Sequence, residues 1–445
     1  MSKKLEAPAR RDRTRAGYSK YVRELRSLVT GVVRDGLTGS EAQLHTALNG
    51  GADSALRKLV PLQQRRDLGQ FFTGAELRSA VASSVAERGF TRESVFLDPS
   101  CGAGDLLLSI AEGFGVHETL TATVNDWGRH LAGRDLDEGF TEAAKLRLVA
   151  LAATKCKILD GPIDHETAFP DIRVGDGLSA QTPYGRAHVI VLNPPFGPTV
   201  ANRDTDWASG RVSLAAFFLL QAIDRTRPGT KIVAVLPDVL RSGTRYKKWR
   251  SLVEDKSTAV TVDLHGRFDD RTDVDVFLLG LVVGSPNPSS TEVDWWRQGK
   301  AVHNVGDFFE VRVGSVVPHR HPKLGPWHPY ISSRRLPQGG VFEPSGHHRR
   351  FDGTVFKPPF VAVRRTSKPG DLNRGAGVLI TGKRSVAVEN HLLVLKPNDG
   401  RLESCLALMK VLSRSTSADW LDTRIRCRHL TVSALREVPW EGRDR

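Results

Sequence analysis

The sequence predicts an α/β protein: a doubly wound, Rossmann-like sheet between an N-terminal helical segment and a basic C-terminal α+β domain. Two observations carry this. From SVFLDPS to VDVFLLGLVVG, short apolar runs alternate with amphipathic helical stretches, the pattern of a mostly parallel sheet with helices on both faces. Charge is also divided unevenly along the 445 residues. Residues 1–66 hold 14 Lys/Arg against 6 Asp/Glu, residues 67–285 hold 24 against 29, and residues 286–445 hold 26 against 15. A mildly acidic centre thus lies between two basic flanks. The expected divisions follow: a helical segment over 1–66, an α/β domain over 67–285 and a basic domain over 286–445, entered through the proline-containing GSPNPSS.

Taken in order, residues 18–60 read as helical, with Tyr18, Val22, Leu25, Val29, Val32 and Val33 on one stripe. After LGQFFT a helix runs through AELRSAVASSVAERG. SVFLDPS is an apolar strand ending in a loop, and GDLLLSIAEGF opens a helix. HLAGRDLD ends a second strand, followed by the periodic helix FTEAAKLRLVALAATK. IRVGDGL and HVIVLNPPF are strands, and SLAAFFLLQAIDRTRPG is a helix stopped by Pro-Gly. TKIVAVLP, AVTVDLHG and VDVFLLGLVVG are further strands, with the helix TRYKKWRSLVED after the first. Past residue 285 the strand-like pieces are FVAVRR, GVLIT and HLLVLKP, with one or two helices.

Composition excludes several classes. With 40% apolar and 26% charged residues the chain is ordinary for a globular protein, and no apolar run reaches the roughly 20 residues of a membrane span. The basic N-terminus lacks the apolar stretch of a secretory signal. Cys101, Cys156, Cys405 and Cys427 show no CxxC spacing, which argues against zinc and a disulfide framework and for a reducing, cytoplasmic setting. The histidines of PHRHPKLGPWHPY lack clustered acids or cysteine, so no metal is expected. Basicity confined to the flanks suggests surfaces facing a polyanion.

The chemistry-bearing residues sit at strand ends. In the loop DPSCGAGD, Gly102 and Gly104 allow close backbone approach, and Asp98, Ser100, Gly102 and Gly104 are candidate cofactor contacts. There is no Walker lysine and no GxGxxG, and the Asp98 carboxylate suits an ammonium better than a phosphate. Asp135 ends the next strand, where doubly wound folds place an acid on ribose hydroxyls. Leu136 can lie against the attached base. Asp126 competes for the ribose role, and Asp137 suits a helix cap. Asp176 and Gly177 end a third strand, where a carboxylate can accept from an adenine amino group; an ordinary Asp-Gly turn is the alternative. Three acids so placed fit a nucleoside attached to a zwitterionic amino acid, which is S-adenosylmethionine.

In NPPF, Asn193 supplies a side-chain carbonyl, while Pro194 and Pro195 stiffen the backbone and leave the Pro194 carbonyl as a second acceptor. Two fixed acceptors can take both hydrogens of an exocyclic amine and aim its lone pair at an electrophilic methyl group. Phe196 would stack on the ring bearing that amine.

Over roughly residues 60–285 the chain resembles the gamma-class adenine-N6 DNA methyltransferases of restriction–modification systems. DPSCGAG, Asp135, Asp176 and NPPF match that family's motifs in its order, with the recognition domain last. The resemblance implies that GQFFT, through Gly69, Phe71, Phe72 and Thr73, closes over the methionine part of the cofactor. It also implies that Phe268 is a second aromatic sandwiching a flipped base. Gly74 stands where the family usually has proline.

A duplex adenine must be flipped out to reach such a pocket, which requires purchase on double-stranded DNA. The candidates are Arg334, Arg335, Arg364, Arg365, Lys368, Arg374, Lys383, Arg384, Arg424, Arg426 and Arg428, most of them expected to contact phosphate. No PD…(D/E)xK nuclease signature stands out, so a cognate endonuclease is expected on a separate chain. The alternatives are an RNA adenine-N6 or protein-glutamine methyltransferase, whose target amines suit the same loop, and a non-catalytic DNA-binding specificity component.

Overall fold

The computed structural model describes residues 8–60, 62, 65, 73–201, 205–269, 272–285, 293–296, 301–371 and 373–440. The chain divides into two compact units: Met1–Leu240 with Lys248–Val293, and Arg241–Lys247 with Asp294–Arg445.

The first unit is built on a seven-stranded sheet. Its strands are β1 (Phe96–Asp98), β2 (Leu131–Asp135), β3 (Ile172–Val174), β4 (Val189–Leu192), β7 (Lys231–Pro237), β8 (Ser257–Asp269) and β9 (Thr272–Val283); between β4 and β7 lies a separate hairpin of β5 (Pro198–Val200) and β6 (Arg211–Ser213). The order is β3-β2-β1-β4-β7-β9-β8. The first five strands run parallel, and β9 is antiparallel to both β7 and β8. Central strands covered on both faces read as unbroken apolar runs, and all four residues of β4 are buried. Strand β1 pairs with β2 on one side and β4 on the other, so the order reverses there. In a doubly wound sheet the crevice outside the carboxyl ends at this reversal is where ligands bind. Asp98 closes β1, Asp135 closes β2, and Asn193 follows β4 directly.

The helical stretch read over 18–60 divides into Pro8–Asp35, Glu41–Leu48 and Gly51–Leu59, punctuated by glycines with positive φ at Gly36 and Gly50. The predicted stripe is buried and shares one core with the helix Glu138–Lys155. Tyr18 meets Phe140 edge to face at a centroid distance of 4.8 Å. The N-terminal helices therefore form a layer of the first unit. A helix over Leu120–His130 was not expected; Thr119 caps it, and Trp127 anchors it in full burial. Gly128 on this helix packs against the chain at Ala168 so closely that an added Cβ would lie 1.8 Å from the Ala168 carbonyl oxygen.

The second unit holds a five-stranded sheet, β10 (Phe309–Val313), β17 (Leu392–Pro397), β14 (Phe360–Arg364), β15 (Gly377–Ile380) and β12 (Val341–Phe342), in that order. A three-stranded sheet joins β13 (His348–Arg350), β11 (Trp327–Ile331) and β16 (Ala387–Val388). Alternate residues of the larger sheet enter two cores. Val361, Val363, Leu379, Leu393 and Leu395 pack with the helices Leu402–Leu412 and Ser415–Arg424, whereas Phe360, Ala362, Val378, Ile380 and Val394 pack with Ile331, Leu336 and Phe356. This is the period-two division of a sheet buried on both faces. Among the described residues no helix is long and apolar enough to cross a membrane.

Gly128→Ala must push two backbone segments apart. We expect a loss of about 1–3 kcal/mol of stability, measured by urea denaturation, with the helical circular dichroism of the folded state retained.

Candidate active site

The loop after β1 is pinned by its own amides. The Asp98 carboxylate accepts from the Ser100 N–H at 3.0 Å, the Cys101 N–H donates to the Arg134 carbonyl at 2.8 Å, and the Gly102 N–H donates to Asp135 Oδ2 at 3.0 Å. Asp135 Oδ1 accepts from the Asp137 N–H at 2.9 Å. Gly102 (φ 50°) and Gly104 (φ 83°) occupy the left-handed region that lets the chain turn from strand to helix. Gly104 also lies against Ala144, whose Cβ an added methyl group would meet at 2.8 Å.

Asp98, which is buried, and the neighbouring, half-buried Asp135 accept from neutral backbone amides and, for Asp98, a serine hydroxyl. Burial, the largest cause, holds the Asp98 carboxyl at about 7 and that of Asp135 at about 6. Nearby carboxylates, Asp135 among them, push Asp98 further up. Such a pair accommodates a cation and vicinal hydroxyls, so its chemistry fits the ammonium and ribose of S-adenosylmethionine. Leu136, the adjacent candidate, is 61% exposed.

The other expected acids separate by position. Asp126 lies on the helix Leu120–His130, away from any strand end, and pairs with His117 (3.3 Å) and Arg129. Asp137 caps the helix Glu138–Lys155 through the Phe140 N–H. Asp176 lies two residues past the end of β3 in an exposed turn, its Oδ1 accepting from the Leu178 N–H at 2.9 Å. Gly177 behind it is buried so tightly that a Cβ would meet the Pro99 carbonyl oxygen at 1.8 Å.

At the end of β4, Asn193 Nδ2 donates to Thr73 Oγ1 at 2.8 Å. With its amino group so engaged, the amide presents Oδ1 as the acceptor. Thr73, expected to face the cofactor, is buried and placed to orient Asn193; Gly69, Phe71 and Phe72 lie outside the described residues. Pro194 is buried, and Pro195 and Phe196 are half-buried. The loop's far end is tied down where Ser213 Oγ donates to the Phe196 carbonyl (3.3 Å) and the Leu214 N–H to the Gly197 carbonyl (2.9 Å). Phe196 and Phe268 meet edge to face, with centroids 5.7 Å apart and planes at 88°. A ring held between two parallel faces needs about 7 Å, so Phe268, which is 4% exposed, buttresses Phe196 edge-on and does not face it across a gap.

In the second unit the expected basic residues fall into two sets. Arg334, Arg335, Lys368, Lys383, Arg384 and Arg428 are exposed, and Arg365 and Arg426 half-buried. Arg374 and Arg424, expected to face phosphate, are instead buried. Arg374 pairs with Asp422 at 3.1 Å and donates to the Cys427 carbonyl at 3.0 Å. Arg424 forks onto Glu437 and stacks on Trp296, 3.5 Å above the ring centroid. Arg364 donates to the carbonyls of Leu336 and Pro337. A guanidinium carries several donors in a rigid fork, and here they go to carboxylates and backbone carbonyls of the unit itself.

Comparison with known proteins agrees with this arrangement. The profile described as N-6 DNA Methylase matches residues 56–282, just over half of the chain. The chain belongs to this family of N-6 DNA methylases. Among solved structures, the type IIL restriction-modification enzyme MmeI, in complex with DNA, is 10% identical with a TM-score of 0.53, covering 87% of this chain and 70% of that one. The type I restriction enzyme EcoKI M protein is 16% identical with a TM-score of 0.32, covering 61% and 67%. The type IIG restriction endonuclease BpuSI is 14% identical with a TM-score of 0.41, covering 87% of this chain; the present chain spans only 60% of BpuSI. No curated protein matches the sequence.

Thr73→Val keeps the volume and removes the acceptor from Asn193. We expect methyl-transfer kcat to fall about tenfold, the equivalent of one net hydrogen bond, measured by steady-state kinetics, with the melting temperature little changed.

Proposed function

We propose that this chain transfers a methyl group from S-adenosylmethionine to the N6 amine of an adenine flipped out of duplex DNA. The observation that carries the reading is the Asn193 amide, oriented by Thr73 at the end of β4, beside strands that end in the acids Asp98, buried, and Asp135, half-buried.

Asp98 would hold the cofactor's ammonium, and Asp135 its ribose hydroxyls. The turn at Asp176 and Gly177 would hold its adenine. When bound, the cofactor supplies a methyl group on a sulfonium, which needs no metal for activation. The chain's own work is positioning. Asn193 Oδ1 and the Pro194 carbonyl accept the two N–H bonds of the target amine, which turns its lone pair outward. Phe196 stacks on the extruded base, and Phe268 stiffens Phe196 from the side. Exposed Arg334, Arg335, Lys368, Lys383, Arg384 and Arg428 would contact phosphate and set the register on DNA. Any restriction endonuclease partner would reside on another chain.

The direct test is methyl transfer to unmodified duplex DNA, with RNA and protein as controls. N6-methyladenine in duplex DNA supports the reading, whereas labelling of RNA or protein alone overturns it. Asn193→Ala removes one of the two acceptors, and we expect turnover to fall about a thousandfold while cofactor binding stays within a few-fold, measured by calorimetry.

The acids also set a pH dependence. The ordinary value for Asp98 is 3.8, but burial holds it at about 7 in the folded chain. An unfolded chain therefore gives up this proton before the folded one does, and in the absence of a cation stability falls as pH rises from about 4 to about 7. A cation requires the carboxylate. Cofactor affinity should then rise from about pH 5.5 to about 7.5, with proton release below 7. Asp98→Asn should weaken binding and flatten this profile; an unchanged profile would detach Asp98 from the ammonium.

A further inference from the structure

We propose that Arg147, on the helix Glu138–Lys155, is a positioning residue that holds the glycine loop after β1 in its binding shape and ties that loop to the N-terminal helices. The link to cofactor affinity rests on the proposed role of that loop; the positioning itself does not.

Arg147 is fully buried. Its Nη1 donates to the Ala103 carbonyl at 2.5 Å, in the middle of the loop, and its Nη2 donates to Asp105 Oδ1 at 2.9 Å, the first residue of the helix Asp105–Ala111. On the opposite side Nε donates to the Ala47 carbonyl at 2.8 Å and Nη2 to the Leu48 carbonyl at 3.2 Å. Those two carbonyls end the helix Glu41–Leu48, where intrahelical partners run out. One planar guanidinium therefore joins three backbone oxygens and a carboxylate across three elements, a geometry that lysine, with one nitrogen, cannot reproduce.

Two neighbours complete the seat. Ala144, one helical turn before Arg147, lies against Gly104 so closely that a Cβ there would be 2.8 Å away. Arg78 donates to the same Leu48 carbonyl at 3.0 Å and lies 4.0 Å from Asp105. The loop is thus held from above by Asp98 and Asp135, which take its amides, and from below by Ala144 and Arg147. Because the Ala103 carbonyl is fixed by Arg147, the Ala103–Gly104 peptide plane is fixed as well, and with it the Gly104 N–H, which donates to the Cys101 carbonyl at 2.8 Å.

The test uses Arg147→Lys in the full-length chain, with Gly128→Ala as a variant that loses stability on a different helix. Amide hydrogen exchange of residues 98–108 is followed without cofactor, and S-adenosylmethionine KM and kcat are measured on duplex DNA. Arg147→Lys should speed exchange in this loop and raise the cofactor KM about tenfold, with kcat at saturation and the KM for DNA within twofold. Gly128→Ala should lower the melting temperature with loop exchange and cofactor KM unchanged. Equal loop exchange in Arg147→Lys and the parent chain would overturn the proposal, as would an equal rise in cofactor KM in both variants. Faster loop exchange in a chain whose parent binds no S-adenosylmethionine would uphold the positioning and sink the assignment of the loop to the cofactor. If Arg147→Lys does not fold, Asp105→Asn, which removes the charged anchor and leaves the Ala103 contact, should speed loop exchange less than a full loosening and raise the cofactor KM severalfold; no change in either would overturn the proposal.

Discussion

A carboxylate drawn in at a strand end must be given donors, and the first unit is arranged around that requirement. Asp135 at the end of β2 takes the Gly102 N–H on one oxygen and the Asp137 N–H on the other. The first bond draws the loop after β1 across the neighbouring strand, and the second starts the helix that carries Ala144 and Arg147 back beneath that loop. Moving Asp135 would disturb the loop at both places. The acid cannot be exchanged for an apolar residue either, since the Gly102 and Asp137 N–H groups would then lose their acceptor, at a cost of about 1–3 kcal/mol for the buried Gly102. The strain on the carboxylates themselves is visible in their raised pKa values of about 7 for Asp98 and about 6 for Asp135. An uncompensated pair of this kind is a standing preference for positive charge.

The parallel sheet converts this local constraint into a site. Because β1 lies between β2 and β4, the acids and the Asn193 amide end on neighbouring strands, although some sixty residues separate Asp135 from Asn193 in the chain. Division of labour follows from position: β1 and β2 end in carboxylates suited to a cation and a diol, whereas β4 ends in rigid neutral acceptors suited to an amine.

Much of this was legible in the sequence because it is locally encoded. Strands buried on both faces must be continuous apolar runs, so β4, β7, β9 and the β14, β15 and β17 set stood out. Glycines and acids directly after such runs marked the crevice, and NPPF declared itself by being a poor way to end a strand without purpose. What was hidden is what depends on distant partners. The hydrogen bond from Asn193 to Thr73 spans 120 positions, and nothing near either residue announces it. The helix Leu120–His130 lies in a stretch whose apolar residues are sparse, and its burial rests on Trp127 and the tight fit of Gly128. Arg374 and Arg424 look like any other arginines in a basic domain; only the fold shows that their donors are consumed by Asp422, Glu437 and backbone carbonyls. Phe268 was found as an aromatic of the right region, but its edge-on contact with Phe196 is a matter of ring orientation, which sequence does not encode.

The double burial of the five-stranded sheet in the second unit has an evolutionary corollary. In its central strands β14 and β15 alternating residues are committed to one core or the other, and the unit's buried Arg374 and Arg424 to structure. Four of the exposed candidate cations, Arg334, Arg335, Lys383 and Arg384, by contrast sit in turns and loops outside those cores. Substitutions there change surface charge and shape without opening a cavity. Drift in what the unit touches is therefore uncoupled from whether it folds, and lineages can diversify the contact surface through single steps that each leave a viable protein.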